Sequence, residues 1–399
     1  MPSSAAPRRA PLRTASPRGT SPSLFLVLIA ACTAATVANI YLAAPLLSLI
    51  ARDFGSTPPA VAWIASVAQL GYAVGLLFFA PLGDGVNRRR LVGALTVVTT
   101  AALAASAAAP GIAVLAVAVF VTSAATVIPQ LLVPLVAERA PADRRALHVA
   151  AVISGLFAGI VAARVLGGLV GQAFGWRWVF AGSGVLTLTL GLATASVLPA
   201  ERRDRDGSLL AGIAALPGLL RRSPDLWRAC VRQAGMFGAW SALWTSLALL
   251  LTGPAYGLST ATAGLFGLFG LTASAVAPPA GGLVDRFGAA KTVRAAFLVA
   301  AVSVPLFWLG GHVLAALFAA AVTIHTALVA SHVANQTLAL TTTSTPAAAN
   351  TAYVVSGFAG GALASALAGP AFGHFGWGGV CAVAGAWLVL GWGATAVRR

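Results

Sequence analysis

The stretch GLFAGIVAARVLGGLVGQAFGW, residues 155–176, puts a small residue at every fourth position of an apolar run (Gly155, Gly159, Ala163, Gly167, Gly171) and closes on Phe-Gly-Trp. Farther along, GFAGGALASALAGPAFGHFGW, residues 357–377, repeats the ladder with Gly357, Gly361, Ser365, Gly369 and Gly373 and closes the same way. Trp176 and Trp377 are 201 positions apart. The same 201 separates Asp84, in Leu82-Gly83-Asp84, from Asp285, in Leu283-Val284-Asp285-Arg286-Phe287-Gly288. Small residues four apart share a helix face and let backbones approach, a main means of pairing helices where lipid offers no hydrophobic drive. Two ladders in register predict a duplicated membrane bundle. Each copy should hold one tightly crossed helix pair, built on Gly155, Gly159 and Gly167 in the first half and on Gly357, Gly361 and Gly369 in the second.

Composition sets the solvent. Hydrophobic residues fill 59% of the 399 positions and charged residues 9%, outside the range of a water-soluble domain. A bilayer core about 30 Å thick takes roughly 20 apolar residues per helical span, so the chain has room for about twelve. Glycine, proline and charge punctuate it into spans near 24–50, 60–82, 91–109, 112–137, 148–173 and 178–198. After a polar stretch the second set lies near 229–251, 260–283, 292–309, 312–338, 350–372 and 378–396. The expected organisation is a basic cytosolic tail (1–22), a six-helix bundle (23–198), a cytosolic linker (199–226) and a second six-helix bundle (227–399). The linker's apolar patch, Leu209 to Leu220, suits either a short interfacial helix or plain linker, and Pro217 favours the linker by interrupting the helical pattern.

A formal charge of +16 would point to nucleic acid in a soluble protein. Here 21 of the 25 Lys and Arg fall on the termini, the linker and alternate loops or within three residues of them, and only Arg52 and Arg177 fall on the loops of the other side. That is the positive-inside pattern of a multi-pass protein of a bacterial cytoplasmic membrane with both termini in the cytosol, and it argues against nucleic acid as a partner. The first apolar run, Leu24 to Ile50, is too long for a signal-peptide core and reads as an uncleaved span. Cys32, Cys230 and Cys381 are odd in number and far apart, so they suit packing rather than disulfides or a metal. Phosphate-loop, nucleophile-elbow and metal-ligand motifs are lacking in the sequence. The expectation is no metal, no cofactor, no enzymatic activity and no ATP-driven pumping.

With these features the chain resembles the major facilitator superfamily over nearly its whole length after the tail. The family's loop signature, G-x-L-x-D-R-x-G-R-K, is met over its first eight positions by Gly281-Gly282-Leu283-Val284-Asp285-Arg286-Phe287-Gly288. In the first half it is met by Leu82-Gly83-Asp84 followed by Arg88, Arg89 and Arg90, with Gly85 and Asn87 where Arg and Gly are usual. The segments Tyr41 to Pro45, Gln69 to Tyr72, Pro129-Gln130, Asn335 to Thr337 and Asn350 to Tyr353 look like those of bacterial proton-coupled drug- and sugar-efflux permeases of the arabinose-efflux type. The antiporter signature G-P-x-x-G-G is met in part by Ala163 to Gly168, with Arg164 in the place of Pro. The resemblance implies an all-α polytopic membrane protein of twelve transmembrane helices in two pseudo-symmetric six-helix bundles. Its partners would be a small-molecule substrate, protons and the lipid bilayer, and the protein would be a monomer. It also implies a cavity lined by spans 1, 2, 4, 5, 7, 8, 10 and 11, and conformational gating by Asp84, Arg88, Asp285 and Arg286. The first-half arginines have the alternative of anchoring their loop on anionic lipid.

All nine Asp and Glu lie in loops or at span ends, so a proton carrier inside the bundle must be another group. His325 and His332, seven apart and therefore on one helix face, are the candidates for proton coupling, with a plain core role as the alternative. Arg164 stands mid-depth in the fifth span, where a charge costs at least about 2.5–3.5 kcal/mol. It reads either as the anchor of an anionic or carbonyl-bearing substrate or as a structural group hydrogen-bonded to Gln130, Asn39 or backbone carbonyls. Asn39, Gln69, Gln130, Arg164, Ser241, Trp244, His325 and Gln336 fall on the cavity-lining spans and form the expected substrate site. Together these features point to proton-coupled efflux of a small organic molecule (drug, sugar or nucleoside-like) by alternating access. The alternatives are uptake of a small metabolite through the same fold and a membrane sensor that transports nothing.

Overall fold

The computed structural model describes residues 22–79, 81–84, 86–141, 144–199, 209–341 and 345–396, so nearly all of the basic tail lies outside it. The described residues are almost entirely helical, with no strand among them. Span 1 is α1 (Pro22–Ala38), a 3-10 turn (Ala44–Leu46) and α2 (Leu47–Asp53). Span 2 is α3 (Pro58–Val61) and α4 (Trp63–Phe79), and span 3 is α5 (Arg88–Ala107). Span 4 divides into α6 (Ile112–Ala125) and α7 (Ile128–Arg139), and spans 5 and 6 are α8 (Arg145–Phe174) and α9 (Trp176–Val197). After α10 (Leu209–Arg222), span 7 is α11 (Pro224–Thr252). Span 8 is α12 (Thr260–Leu265), a 3-10 turn (Phe266–Gly270) and α13 (Leu271–Phe287). Spans 9 and 10 are α14 (Ala289–Leu309) and α15 (Leu314–Thr341), and spans 11 and 12 form α16 (Pro346–Ala396), bent at Gly376. Ten helical stretches are long and apolar enough to cross a membrane, one of them the bent α16 that holds two spans; with the interrupted span 1 they make the expected twelve.

The duplication is visible in the backbone. Gly175 and Gly376 both turn their corners at positive φ, 92° and 61°, a conformation most side chains avoid, which is why Phe-Gly-Trp recurs. Gly288 opens α14 at φ 83°, whereas its counterpart Asn87 opens α5 from φ −63° and caps it, its Oδ1 accepting the Arg90 N–H. The first-half loop has exchanged a glycine corner for a side-chain cap.

Two spans expected to be continuous are broken. Span 1 opens after Ala38 and span 4 after Ala125, and in each the next helical turn begins with a proline, Pro45 or Pro129. Side chains at the two breaks are bonded to each other. The Thr126 hydroxyl donates to the Thr36 carbonyl (2.6 Å), and Asn39 Nδ2 donates to the Thr126 and Thr187 hydroxyls (3.3 and 3.1 Å). The Ser183 hydroxyl donates to Asn39 Oδ1 (2.7 Å). Non-helical backbone at membrane depth is tolerated where protein supplies the missing partners. The linker differs as well, because α10 runs helical through Pro217. Leu216, Leu219 and Leu220 pack on Leu226, Cys230 and Tyr353, and burying three leucines outweighs the roughly 3 kcal/mol an interior proline costs.

The ladder of α8 lies against span 1, where a Cβ added to Gly155 would stand 2.5 Å from the Ala30 carbonyl oxygen and one on Gly159 would strike the Ala34 backbone. Gly167 faces the Pro45 ring. In the second half the closest backbone approach falls one residue off the ladder, at Gly360 against Ala234 of α11. Gly357 receives the side chain of Gln233, Gly361 those of Gln69 and Phe237, and Gly369 faces Ala62 of the first half.

The loops carrying Arg88 to Arg90, Arg144, Arg286 and Lys291 mark a basic end. The halves close on each other toward the opposite end. There Gly168 of α8 meets Gly264 of α12, Gln172 Oε1 accepts the Thr260 N–H (3.2 Å), and the Ser48 and Thr252 hydroxyls are 2.8 Å apart. At the basic end of α13, a Cβ on Gly281 or Gly282 would find no heavy atom within 4 Å. The seam is thus shut away from the basic loops.

Candidate functional site

Arg164 enters the seam from α8 about 15 Å of helix rise from the closed end and is 6% exposed. Its guanidinium carbon lies 5.2 Å from the Tyr41 ring centroid, 5.3 Å from Trp240 and 5.1 Å from Trp244. Trp240 and Trp244, four apart on α11, stack at 6.1 Å with planes 8° apart, while Tyr41 stands in the break of span 1. Each cation–π contact contributes about 0.5–2 kcal/mol, enough together to offset much of the cost of a charge at this depth. Glycine makes the fit possible: a Cβ on Gly267 would stand 2.7 Å from Arg164 Cβ.

Arg164 makes no hydrogen bond to any described residue, and its Nη1 is buried without an acceptor. The structural partners proposed from sequence are engaged elsewhere, Asn39 at the helix breaks and Gln130 as a donor to the Tyr72 hydroxyl (3.3 Å). The ion pairs among described residues lie at the span ends: Arg88 with Glu138, Arg177 with Asp53, and Arg228 with Asp225.

On the other side of the seam, Gln69 of α4 reaches two helices of the second half. Its Nε2 donates to the Ser241 hydroxyl (2.6 Å) and the Ser365 hydroxyl (3.1 Å), and Ser241 donates back to Gln69 Oε1 (2.8 Å). Ser365 is 2.9 Å from Ser241 and 3.3 Å from Thr245. Two small cavities flank Arg164. One, about 30 Å³, is walled by Trp244, Ala248, Gly264 and Gly267; the other, about 10 Å³, by Tyr41, Gln69, Ser241 and Thr245. These are water-sized spaces.

Of the eight residues expected to bind substrate, the structure brings Gln69, Arg164, Ser241, Trp244 and His325 together. Asn39, Gln130 and Gln336 are bonded within their own halves, Gln336 as a donor to Asn350 Oδ1 (2.9 Å). His325 lies edge-on to Trp244, 4.5 Å between centroids, and accepts the Trp240 indole N–H at Nε2 (3.2 Å). An indole nitrogen only donates, so the histidine proton is on Nδ1, which faces the Ala321 carbonyl (2.8 Å). The lone pair that would take a second proton is occupied. His332 stands apart, 3.3 Å from the hydroxyl of Tyr353, which donates to Gln233 Oε1 (2.7 Å).

The expected gate residues differ between the halves. Arg88 grips Glu138 with both terminal nitrogens (3.0 and 3.2 Å), tying α5 to α7, while Asp285 and Arg286 are exposed and Arg286 rests on the Phe287 ring. The side chain of Asp84 lies outside the described structure. At the opposite end Arg177 stacks on Trp176 and pairs with Asp53, holding that carboxyl below its ordinary range.

Sequence reasoning missed Tyr41, Tyr72, Phe237, Trp240 and Phe358. The rings form a path from the Arg164 cluster across the seam: Trp240 to Phe237 (5.2 Å), Phe237 to Phe358 (4.9 Å), Phe358 to Tyr72 (4.6 Å). Trp240 was within reach, since it shares a helix face with Trp244.

The profile of the Major Facilitator Superfamily matches residues 27–369. A probable transporter of Streptomyces coelicolor is 76% identical over 399 residues, covering 98% of this chain and 93% of its own. The uncharacterized transporter YgaY of Escherichia coli O157:H7 is 34% identical over 373 residues, 93% of this chain and 94% of its own. Among solved structures, the nucleoside transporter NupG aligns with a TM-score of 0.76 at 12% identity, over 94% of this chain and 100% of that one. A bacterial homolog of the human lysosomal transporter Spinster, inward-facing and unoccupied, aligns at 0.70 and 17% identity, over 95% and 96%. At those identities the structures attest the fold alone. The family match and the relatives together make the chain a multi-pass membrane transporter, and it belongs to the major facilitator superfamily.

Proposed function

We propose that this transporter exports a small organic molecule, of the drug, sugar or nucleoside-like kind, from the bacterial cytosol in exchange for protons. Two six-helix halves (23–198 and 227–399) rock about their shared seam. The observation that carries the reading is the contact of the two halves at the end away from the basic loops, with polar and aromatic side chains from both halves meeting just inside it. The positive-inside rule puts the basic end in the cytosol, so the conformation described is the one that loads from there. Gln69, Arg164, Ser241 and Trp244, joined by Tyr41 and Trp240, are the substrate contacts, with Tyr72, Phe237 and Phe358 lining the approach. His332 is the better proton carrier. His325 must release the Trp240 indole before it can take a second proton, which would loosen the cluster around Arg164. Arg88 and Glu138 hold the first half's basic end together while the halves move.

The test is substrate-induced proton movement in inverted vesicles, screened over amphipathic drugs, nucleosides and sugars, in the parent and in His332→Gln and His325→Gln. A signal in the parent that His332→Gln loses supports proton-coupled export. Accumulation of the same compounds by right-side-out vesicles, with no signal in inverted ones, would replace export by uptake.

A further inference from the structure

The seam holds a buried cation that no described carboxylate neutralises. Among the described residues, Arg164 is the Lys or Arg whose side chain is walled by rings from both halves, and those rings cover it on three sides while its Nη1 has no acceptor. Aromatic faces lower the cost of the charge but offer no hydrogen-bond acceptor to an N–H, and a buried N–H without an acceptor carries its full desolvation penalty. Asp53, Glu138, Asp225 and Asp285, the described carboxylates, all lie at span ends, three of them in ion pairs there. The cavities beside Arg164 are shaped for something small. The 10 Å³ space brings Arg164 and Gln69 of the first half together with Ser241 and Thr245 of the second, and the 30 Å³ space continues it along Trp244. The guanidinium of one half and the hydroxyls of the other face a volume lined by no described carboxylate. The ring path from Phe237 to Tyr72 leads away from it, suited to an apolar body.

We propose that the transported molecule is an organic anion, whose carboxylate or similar singly charged head pairs with Arg164 between the halves while its apolar body lies along the aromatic path. This rests on the export reading and narrows its substrate class. The head completes the hydrogen bonding of Arg164, and because Ser241 and Thr245 belong to the other half, the bound anion bridges the two bodies that must rock. A neutral molecule of the same shape leaves Arg164 uncompensated and binds less well. The same donors would also accept an inorganic halide, so the test must separate the two sources.

The experiment reads binding and needs no transport. The intrinsic tryptophan fluorescence and thermal midpoint of the purified full-length protein, in chloride-free buffer, are followed during titration with sodium benzoate, benzamide as its neutral isostere, and sodium chloride. The expected result is a saturable change with benzoate, at least tenfold weaker with benzamide, that chloride does not reproduce and that Arg164→Gln abolishes. Equal responses to benzoate and benzamide, or no response to either, would overturn the proposal. A response to chloride alone would also overturn it, making the site that of an inorganic ion. The benzoate and benzamide comparison is made on the parent protein, so it decides the matter even where Arg164→Gln does not fold. Loss of proton movement in vesicles with benzoate binding intact would sink the coupling and leave the substrate class standing.

Discussion

Two of the places where the halves touch occupy equivalent positions in the repeat and are built from different chemistry. Where α4 meets α11 and α16, Gln69 hydrogen-bonds across the seam to Ser241 and Ser365, which are joined to each other and to Thr245 within the second half. Where α8 meets α12, glycine lies on glycine, a single hydrogen bond joins Gln172 to the Thr260 N–H, and the charged residue beside them makes no hydrogen bond to a described residue. Directional bonds fix one geometry, whereas stacked rings and bare backbone tolerate sliding and leave a donor free. One contact is made to hold and the other to open around a ligand, and a pseudo-symmetric fold can divide those tasks without changing its architecture.

The largest effect expected from disturbing this division is at the glycine contact. A Cβ on Gly168 would stand 2.7 Å from the Thr260 carbonyl oxygen, and backbone cannot yield as a side chain can. Overpacking costs about 1–3 kcal/mol, a roughly five- to hundredfold shift away from the closed conformation. Gly168→Leu should therefore cut transport at least about tenfold. It should also prevent the disulfide that Ser48→Cys with Thr252→Cys forms in the parent background. Unchanged crosslinking would mean that the contact is looser than drawn.

Next comes a contrast between function and stability. Gln69→Leu removes three hydrogen bonds, although Ser241 and Ser365 keep each other, and should cost about 1–3 kcal/mol in thermal or denaturant unfolding. Arg164→Met removes a desolvated charge and its ring contacts, effects of similar size and opposite sign. Its midpoint should stay near the parent's while transport falls about tenfold or more. If both variants lost stability equally, the two contacts would not differ as described.

The smallest effect lies outside the membrane. The Arg177 guanidinium depresses the Asp53 carboxyl, so the pair's contribution is fully present above the unfolded carboxylate value, near pH 4, and is lost as pH falls through the lower folded value. Both side chains are about two-fifths exposed, which limits the contribution to about 1 kcal/mol or less. Asp53→Asn should lower stability at pH 7 by about 1 kcal/mol or less, converge with the parent as pH falls through the folded carboxyl value, and so flatten the acid side of the stability profile measured by unfolding.

The twelve spans, the duplication and the family could be read from Phe-Gly-Trp, the small-residue ladders and the loop motif, because those features state where backbones must turn or touch. The breaks after Ala38 and Ala125 could not, since hydropathy reports the solvent around a segment and is blind to its dihedral angles. Pro45 and Pro129 marked the places, but that Thr126 caps the Thr36 carbonyl while its hydroxyl takes the Asn39 amide is a fact of three dimensions. For the same reason Asn39 looked like a ligand residue and proved to be engaged in its own half. Arg164 stood out as a charge with a cost. Its ring enclosure did not, because Tyr41 reaches it only through the break in span 1 and the tryptophans come from the other half. The helix through Pro217 was hidden by a local rule that burial of Leu216, Leu219 and Leu220 overrides.

The depth of Arg164 also makes the protein an electrical object. A fixed positive charge inside the low-dielectric slab lies within the membrane's own field, and moving one charge across the whole of that field is worth about 2.3 kcal/mol per 100 mV. Rocking that carries the guanidinium through a tenth of the field changes the balance between the two conformations by about 0.2 kcal/mol per 100 mV. A ligand that neutralises the arginine removes that dependence, so the empty protein should respond to voltage and the occupied one should not.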